Sequence, residues 1–201
     1  MPEHLPILAI LVVGLACGAP SVALARSAGP QDWRDIVYAD LRLPNDRARP
    51  YAEIWADKLS QNNDHYARAG DARYAAGNAP AVASAFVVRS PTRVVVLSVF
   101  NAVSACRTIR RYERQLVTVK RCPMRLAIYD QSASGGTGSV LDAGEGCFLE
   151  FGDPRRAFAS DREAGSYATY DVATRSIRTG LVVSGEAVAG CDLAIPIPRG
   201  G

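Results

Sequence analysis

The chain has 201 residues, of which 48% are hydrophobic and 21% charged, and its formal net charge is +3. Such a composition excludes a disordered or collagen-like chain. The length supports a real core without total dependence on crosslinks, and fits one domain or one domain plus a small helical appendage.

The chain opens with an apolar run, ILAILVVGLA at Ile7 to Ala16, broken by Gly18 and Pro20. Ala23-Leu24-Ala25 then supplies a small-x-small cleavage pattern, with Arg26 as the first mature residue. The preceding MPEHLP carries Glu3 and no Lys or Arg, which is unusual for a signal peptide. A retained span needs about 20 apolar residues, and this run is shorter, so no stable membrane span is expected. Cys17 raises a lipoprotein anchor, but Gly14 stands where an aliphatic residue is preferred, and cleavage after Ala25 accounts better for the segment. The predicted division is a signal peptide at 1–25, a helical segment at 26–80 and a β domain at 81–201. The predicted location is the periplasm or the outside of the cell. Of the 23 basic residues only Lys58 and Lys120 are lysines, and with the many alanines this suggests a GC-rich bacterial genome.

Between 26 and 80 the periodicity is helical. Trp33, Ile36, Val37 and Leu41 recur at i, i+3, i+4 and i+8; Tyr51, Ile54, Trp55 and Leu59 repeat the pattern, with Pro50 placed to begin a helix. Both tryptophans are expected to pack these helices onto the rest. QNND at 61–64 and the Gly70 and Gly77 region read as helix ends and linker.

From Ala81 the pattern turns to strands, at Ala85–Arg89, Arg93–Val103, Leu116–Arg121, Arg125–Tyr129, Cys147–Phe151, Tyr167–Asp171, Ser176–Val183 and Cys191–Ile197. Gln131 to Gly146 reads as the longest loop. No ten-residue helical stripe intervenes, which argues against parallel βαβ units. The predicted fold class is α+β: an N-terminal helical segment packed on a disulfide-bridged antiparallel β domain, a sandwich or half-barrel.

Four cysteines follow the leader: Cys106, Cys122, Cys147 and Cys191. An even number in an exported chain reads as a disulfide framework with three possible connectivities. Strand-like flanks around a polar turn at Glu113 and Arg114 fold 106 opposite 122, which favours Cys106–Cys122 and leaves Cys147–Cys191. Zinc is disfavoured by the wide spacings and by His65 being the single histidine after the leader. A thioredoxin-like role lacks its CxxC. No cofactor or metal is expected.

Charge is uneven: residues 81–130 carry 9 basic and 2 acidic residues, whereas 131–201 carry 6 and 9. One reading is internal, the basic part facing the acidic part. Within it Arg107, Arg110, Arg111, Arg114, Lys120, Arg121 and Arg125 fall in 19 residues, opposed only by Glu113. The predicted hairpin sets Arg107 opposite Arg121, an unfavourable like-charge pair that needs compensation. Solvent exposure supplies one answer. The sharper one is an anionic partner, an envelope component or an acidic protein surface, gripped by planar guanidinium forks with Tyr112 at the rim. Nucleic acid is not expected, since no recognition motif is present.

Other constellations are weaker. SASGGTG at 132–138 lacks the lysine of a phosphate-binding loop. Ser134 and Ser184 precede glycines without a GxSxG elbow. Asp142, Glu145, Glu150 and Asp153 surround Cys147 without EF-hand spacing, and only a fold can say whether they form a glycosidase pair. The reading that results is an exported, non-catalytic envelope accessory, adaptor or inhibitor, binding through Arg107, Arg110, Arg111, Tyr112, Arg114, Lys120 and Arg121. The alternatives are an envelope hydrolase using Asp142, Glu145 or Glu150, and a purely structural envelope protein.

Overall fold

The computed structural model of the chain describes residues 34–42, 45–74, 77–131, 138–152 and 164–199. The expected leader, Trp33, residues 132–137 and Asp153 lie outside them. The described chain forms three layers, in which two short helices cover one face of a six-stranded antiparallel sheet and a five-stranded antiparallel sheet covers the other. Neither sheet closes into a barrel, so the β part is sandwich-like.

The first segment departs from its helical periodicity. Arg34–Asp35 is strand β1, paired with the small sheet, and Val37–Asp40 is β2, paired with the large one. Ile36 and Tyr38 contribute to the core between the sheets, while Ala39 and Leu41 contribute to the core under the helices. That alternation is a strand's period of two. The spacing of Ile36, Val37 and Leu41 fits a helix and a strand equally; the open edge beside β3 decides. The Tyr38 hydroxyl then joins the sheets by a 2.6 Å hydrogen bond with the Ser166 hydroxyl.

The second stripe is helical as its periodicity predicts. Helix α1 spans Arg49–Ile54, with Pro50 in its first turn, and α2 spans Ala56–Arg68. QNND lies inside α2 rather than at a helix end, because Asn62 is buried and its polar atoms are satisfied by tertiary partners. Its Nδ2 donates to the Pro80 carbonyl, and its Oδ1 accepts from the Ser104 hydroxyl at 2.7 Å. A short 3-10 turn, Ala72–Tyr74, follows.

The large sheet contains β2, β3 (Val82–Arg89), β4 (Arg93–Asn101), β5 (Arg107–Tyr112), β6 (Val117–Asp130) and β7 (Gly138–Phe151). The run VVVLSVF is apolar on both sides because both faces of β4 are covered. Val96 and Phe100 meet the helices, whereas Val95, Leu97 and Val99 meet the small sheet. Ala81, Ala83 and Ala85 keep the helix-facing surface shallow, so Trp55 packs down fully buried against Phe100, with rings 5.2 Å apart. Its indole N–H donates to the buried Ser98 hydroxyl at 2.9 Å, so no polar atom of the ring is stranded.

Two expected strands, Leu116–Arg121 and Arg125–Tyr129, are one continuous strand, β6. Pro123 interrupts the pattern but not the strand, because it stands where the β6–β7 register shifts, a place that tolerates a missing N–H. Opposite it, Gly144 adopts a positive φ of 82° and donates its N–H to Asp142 Oδ1. The stretch 138–146, expected as loop, is therefore the first part of β7; its glycines serve the register shift. The small sheet comprises β1, β8 (Ala164–Asp171), β9 (Ser176–Val183), β10 (Glu186–Ala187) and β11 (Leu193–Pro196).

Both disulfides have the connectivity expected from the sequence. Cys106–Cys122, with Cα atoms 4.5 Å apart, closes the β5–β6 hairpin at the point where β6 exchanges β4 for β5 as its neighbour. Cys147–Cys191 ties β7 to the segment preceding β11 and so staples the two sheets. Paired cysteines point to an oxidising compartment, periplasmic or extracellular. No helix among the described residues is long and apolar enough to cross a membrane.

Candidate functional site: the basic β5–β6 hairpin

Strand β5 is an edge strand, and every residue from Arg107 to Arg111 is exposed. Its register is anchored by the Cys106–Cys122 bridge at the base and by a turn at the tip, where the Leu116 N–H donates to the Glu113 carbonyl. Arg107 stands opposite Arg121, Arg111 opposite Thr118 and Tyr112 opposite Val117, with a bulge at Ile109. Half-buried Tyr112 packs against the core of Val117, Val119 and Leu149, and so holds the tip to the body.

The seven basic side chains divide into two sets. The Arg107–Arg121 repulsion is relieved from outside the pair: Arg107 reaches Glu145 at 3.1 Å, and Arg121 donates to the Gly190 carbonyl at 3.0 Å. Lys120, mostly buried, binds Glu150 at 2.5 Å beside Asn101. Arg125 is committed furthest. It grips Asp57 with both terminal nitrogens at 2.6 and 2.7 Å, donates to the Ile54 carbonyl at 2.7 Å, and lies over the Trp55 ring at 4.7 Å. A bidentate, charge-assisted pair of this kind holds the Asp57 carboxyl at about 2, well below the ordinary carboxylate range. Arg125 is thus a clasp between helices and sheet.

Arg110, Arg111 and Arg114 are different. They are exposed and form no ion pair with any described residue. Arg110 lies over the Tyr112 ring, 5.2 Å from its centroid, which orients the guanidinium without neutralising it. Arg110 and Arg111 are adjacent in a strand and so project to opposite sides of the edge.

Of the carboxylates singled out in the sequence, the three described ones are occupied. Glu145 and Glu150 hold Arg107 and Lys120, and Asp142 accepts the Gly144 N–H across the register shift. The Ser184 hydroxyl is paired with the Gln115 amide, which ties the hairpin tip to the β9–β10 turn. Ser134 lies outside the described residues. Among the described residues no group of three or more His, Cys, Asp or Glu side chains is placed to hold a metal ion.

One feature of the site escaped the sequence. A polar groove of about 450 Å³ runs between α2 and the base of the hairpin, lined by Lys58, Gln61, His65 and Arg68 on one side and Ser104, Ala105, Pro123 and Glu145 on the other. The positions 58, 61, 65 and 68 follow i, i+3, i+7 and i+10, one face of a helix. That signal was present, but ending the helix at QNND cut the stripe in two. Comparison of the chain with protein-family models, curated proteins and solved structures finds no match.

Proposed function

We propose that this is an exported, non-catalytic binding protein of the bacterial envelope, whose basic hairpin tip recognises an anionic partner. One observation carries the reading. Of seven basic side chains in the stretch, four are spent on internal partners, and the three at the tip, Arg110, Arg111 and Arg114, are exposed without an acid partner among the described residues. The fold leaves the charge of these three guanidinium groups without an acid partner among the described residues, and an anion would supply one. The tip is also preorganised by the disulfide, the Tyr112 anchor and the Gln115–Ser184 contact, so little ordering entropy is lost on binding. Export through a leader cleaved after Ala25 supplies the oxidising compartment that the disulfides need.

The test is cross-linked capture from the envelope by the tagged protein, beside an Arg110→Glu, Arg111→Glu, Arg114→Glu variant. A partner retained by the wild type and lost by the variant supports the reading, and identical capture by both overturns it. Sequencing the N-terminus of exported protein should find Arg26 first; an intact leader would sink the export part.

A further inference from the structure

We infer that the groove between α2 and the hairpin base and the arginines of the hairpin form one cationic track, and that its ligand is a linear acidic glycan carrying carboxylate or phosphate groups. The inference rests on the anionic-partner reading above and extends it from a tip to a path. Lys58, His65 and Arg68 line one wall of the groove; Lys58 donates to the Gln61 side chain and Arg68 to the Asp64 carbonyl, neutral acceptors that leave both positive charges in place. The opposite wall holds a single carboxylate, Glu145, which is engaged by Arg107. Arg107 therefore sits at the groove's rim, and the groove's residues Ser104 and Ala105 lead through Cys106 directly into exposed β5. From there Arg110 and Arg111, one on each side of the exposed edge strand, carry positive charge towards Arg114 at the tip. The α2 stripe is about 15 Å long at the rise of a helix, and β5 from 107 to 112 spans about 17 Å at the rise of a strand. A single small anion would engage one end only, whereas a chain with repeated charges engages both.

The walls are held in place by hydrogen bonds on one side and a disulfide on the other. Asn62 is buried and holds α2 to the Pro80 carbonyl and the Ser104 hydroxyl, and the Asn63 side chain accepts the Ala79 N–H. On the other side the Cys106–Cys122 bridge fixes the hairpin base. Gln61 Oε1 accepts from Lys58 Nζ at 3.0 Å, and the Gln61 NH2 group beside it suits the hydroxyl groups of a sugar. A single-stranded nucleic acid is less well served. Such a ligand wants a row of aromatic platforms, and Tyr112 is already covered by Arg110. A concave groove fits a chain better than the flat face of an acidic protein.

The experiment titrates the full chain with short and long oligogalacturonates, polyphosphate, inorganic phosphate and single-stranded DNA of matched charge. It compares the wild type, Lys58→Glu/Arg68→Glu, the milder Lys58→Gln/Arg68→Gln as insurance against misfolding, and the tip triple variant. The expected result is that the long acidic oligomer binds about tenfold or more tightly than the short one. Groove and tip variants should each weaken it, with the salt slope reduced by about 1 per neutralised cation. Polyphosphate carries the charge without the sugar, so binding of polyphosphate tighter than that of oligogalacturonate at matched charge overturns the glycan assignment. If groove variants bind the long oligomer like wild type while the tip variant does not, the track is overturned and the tip reading stands. Equal affinity for long and short oligomers, or tighter binding of DNA than of the glycan, overturns the ligand assignment. Failure of every polyanion overturns the track, and the envelope capture experiment decides the tip separately.

Discussion

Arg125 and Arg111 belong to the same basic stretch of sequence, and a sequence treats them alike. In the fold they have opposite fates. Arg125 is clasped by Asp57, the Ile54 carbonyl and the Trp55 ring, and joins the helical layer to the sheet. Arg111 sits on an edge strand, exposed, with no ion pair among the described residues. The difference lies in what covers each strand. The end of β6 that carries Arg125 pairs with β4 beneath the helices, so a charge there must find partners to offset its desolvation. The end that pairs with β5 lies at an edge, where a charge keeps its water. A count of charges therefore says little about function; what matters is which of them the fold has already used.

That contrast can be broken at the clasp first. Trp55 is fully buried and its N–H is satisfied, so Trp55→Ala should cost about 4 kcal/mol in chemical denaturation and detach the helical layer. A loss below 1 kcal/mol would mean that the helices add little to the sheet. The inter-sheet staple comes close behind. Cys147→Ser with Cys191→Ser opens a 44-residue separation, and Cys106→Ser with Cys122→Ser a 16-residue one. Chain-entropy reasoning gives about 4 and about 3 kcal/mol respectively. The reverse order, measured under oxidising conditions, would show that the hairpin bridge carries more than loop closure.

Arg125→Ala removes the clasp alone and should cost about 2 kcal/mol, through lost charge-assisted hydrogen bonds and the cation–π contact. Arg111→Ala should fall within about 0.5 kcal/mol of wild type. Similar losses for the two would erase the comparison. A smaller effect follows from acid. The Asp57 carboxyl titrates at about 2 in the folded protein against an ordinary 3.8, so its contribution is present above about pH 4 and is lost as pH falls towards 2. Because Asp57 is half exposed, solvent screening limits this to about 1 kcal/mol or less. In Asp57→Asn that part of the acid limb should flatten; an unchanged limb would show that other carboxylates dominate. Smallest of all for stability is the tip triple variant, which should leave the melting temperature unchanged even where binding is lost.

The fate of individual segments shows what a sequence can carry. Tyr51 to Leu59 became helix because its apolar stripe agreed with Pro50 and had no competing strand pattern. Ile36 to Leu41 had a stripe that served either period, and the free side of β3 drew it into a strand. QNND looked like a helix end because polar clusters ordinarily are, yet Asn62 is buried with partners 18 and 42 residues away in sequence. Losing that stretch of helix also hid the Lys58–His65–Arg68 wall. The disulfide pairing was legible because hairpin geometry is local: folding about 114 sets 106 against 122 and leaves the other two cysteines for each other.

By itself, then, the sequence determined the α+β class, the strand-rich second part, both bridges and the concentration of basic residues in one hairpin. These follow from periodicity, composition and short-range geometry, which act along the chain. The tertiary structure alone decided that the large sheet is covered on both faces, that β6 runs unbroken through Pro123, and that three of the seven cations are paired with acids while a fourth, Arg121, is held by the Gly190 carbonyl. Those outcomes depend on which distant surfaces meet, since burial forces a charge to find a partner and exposure does not.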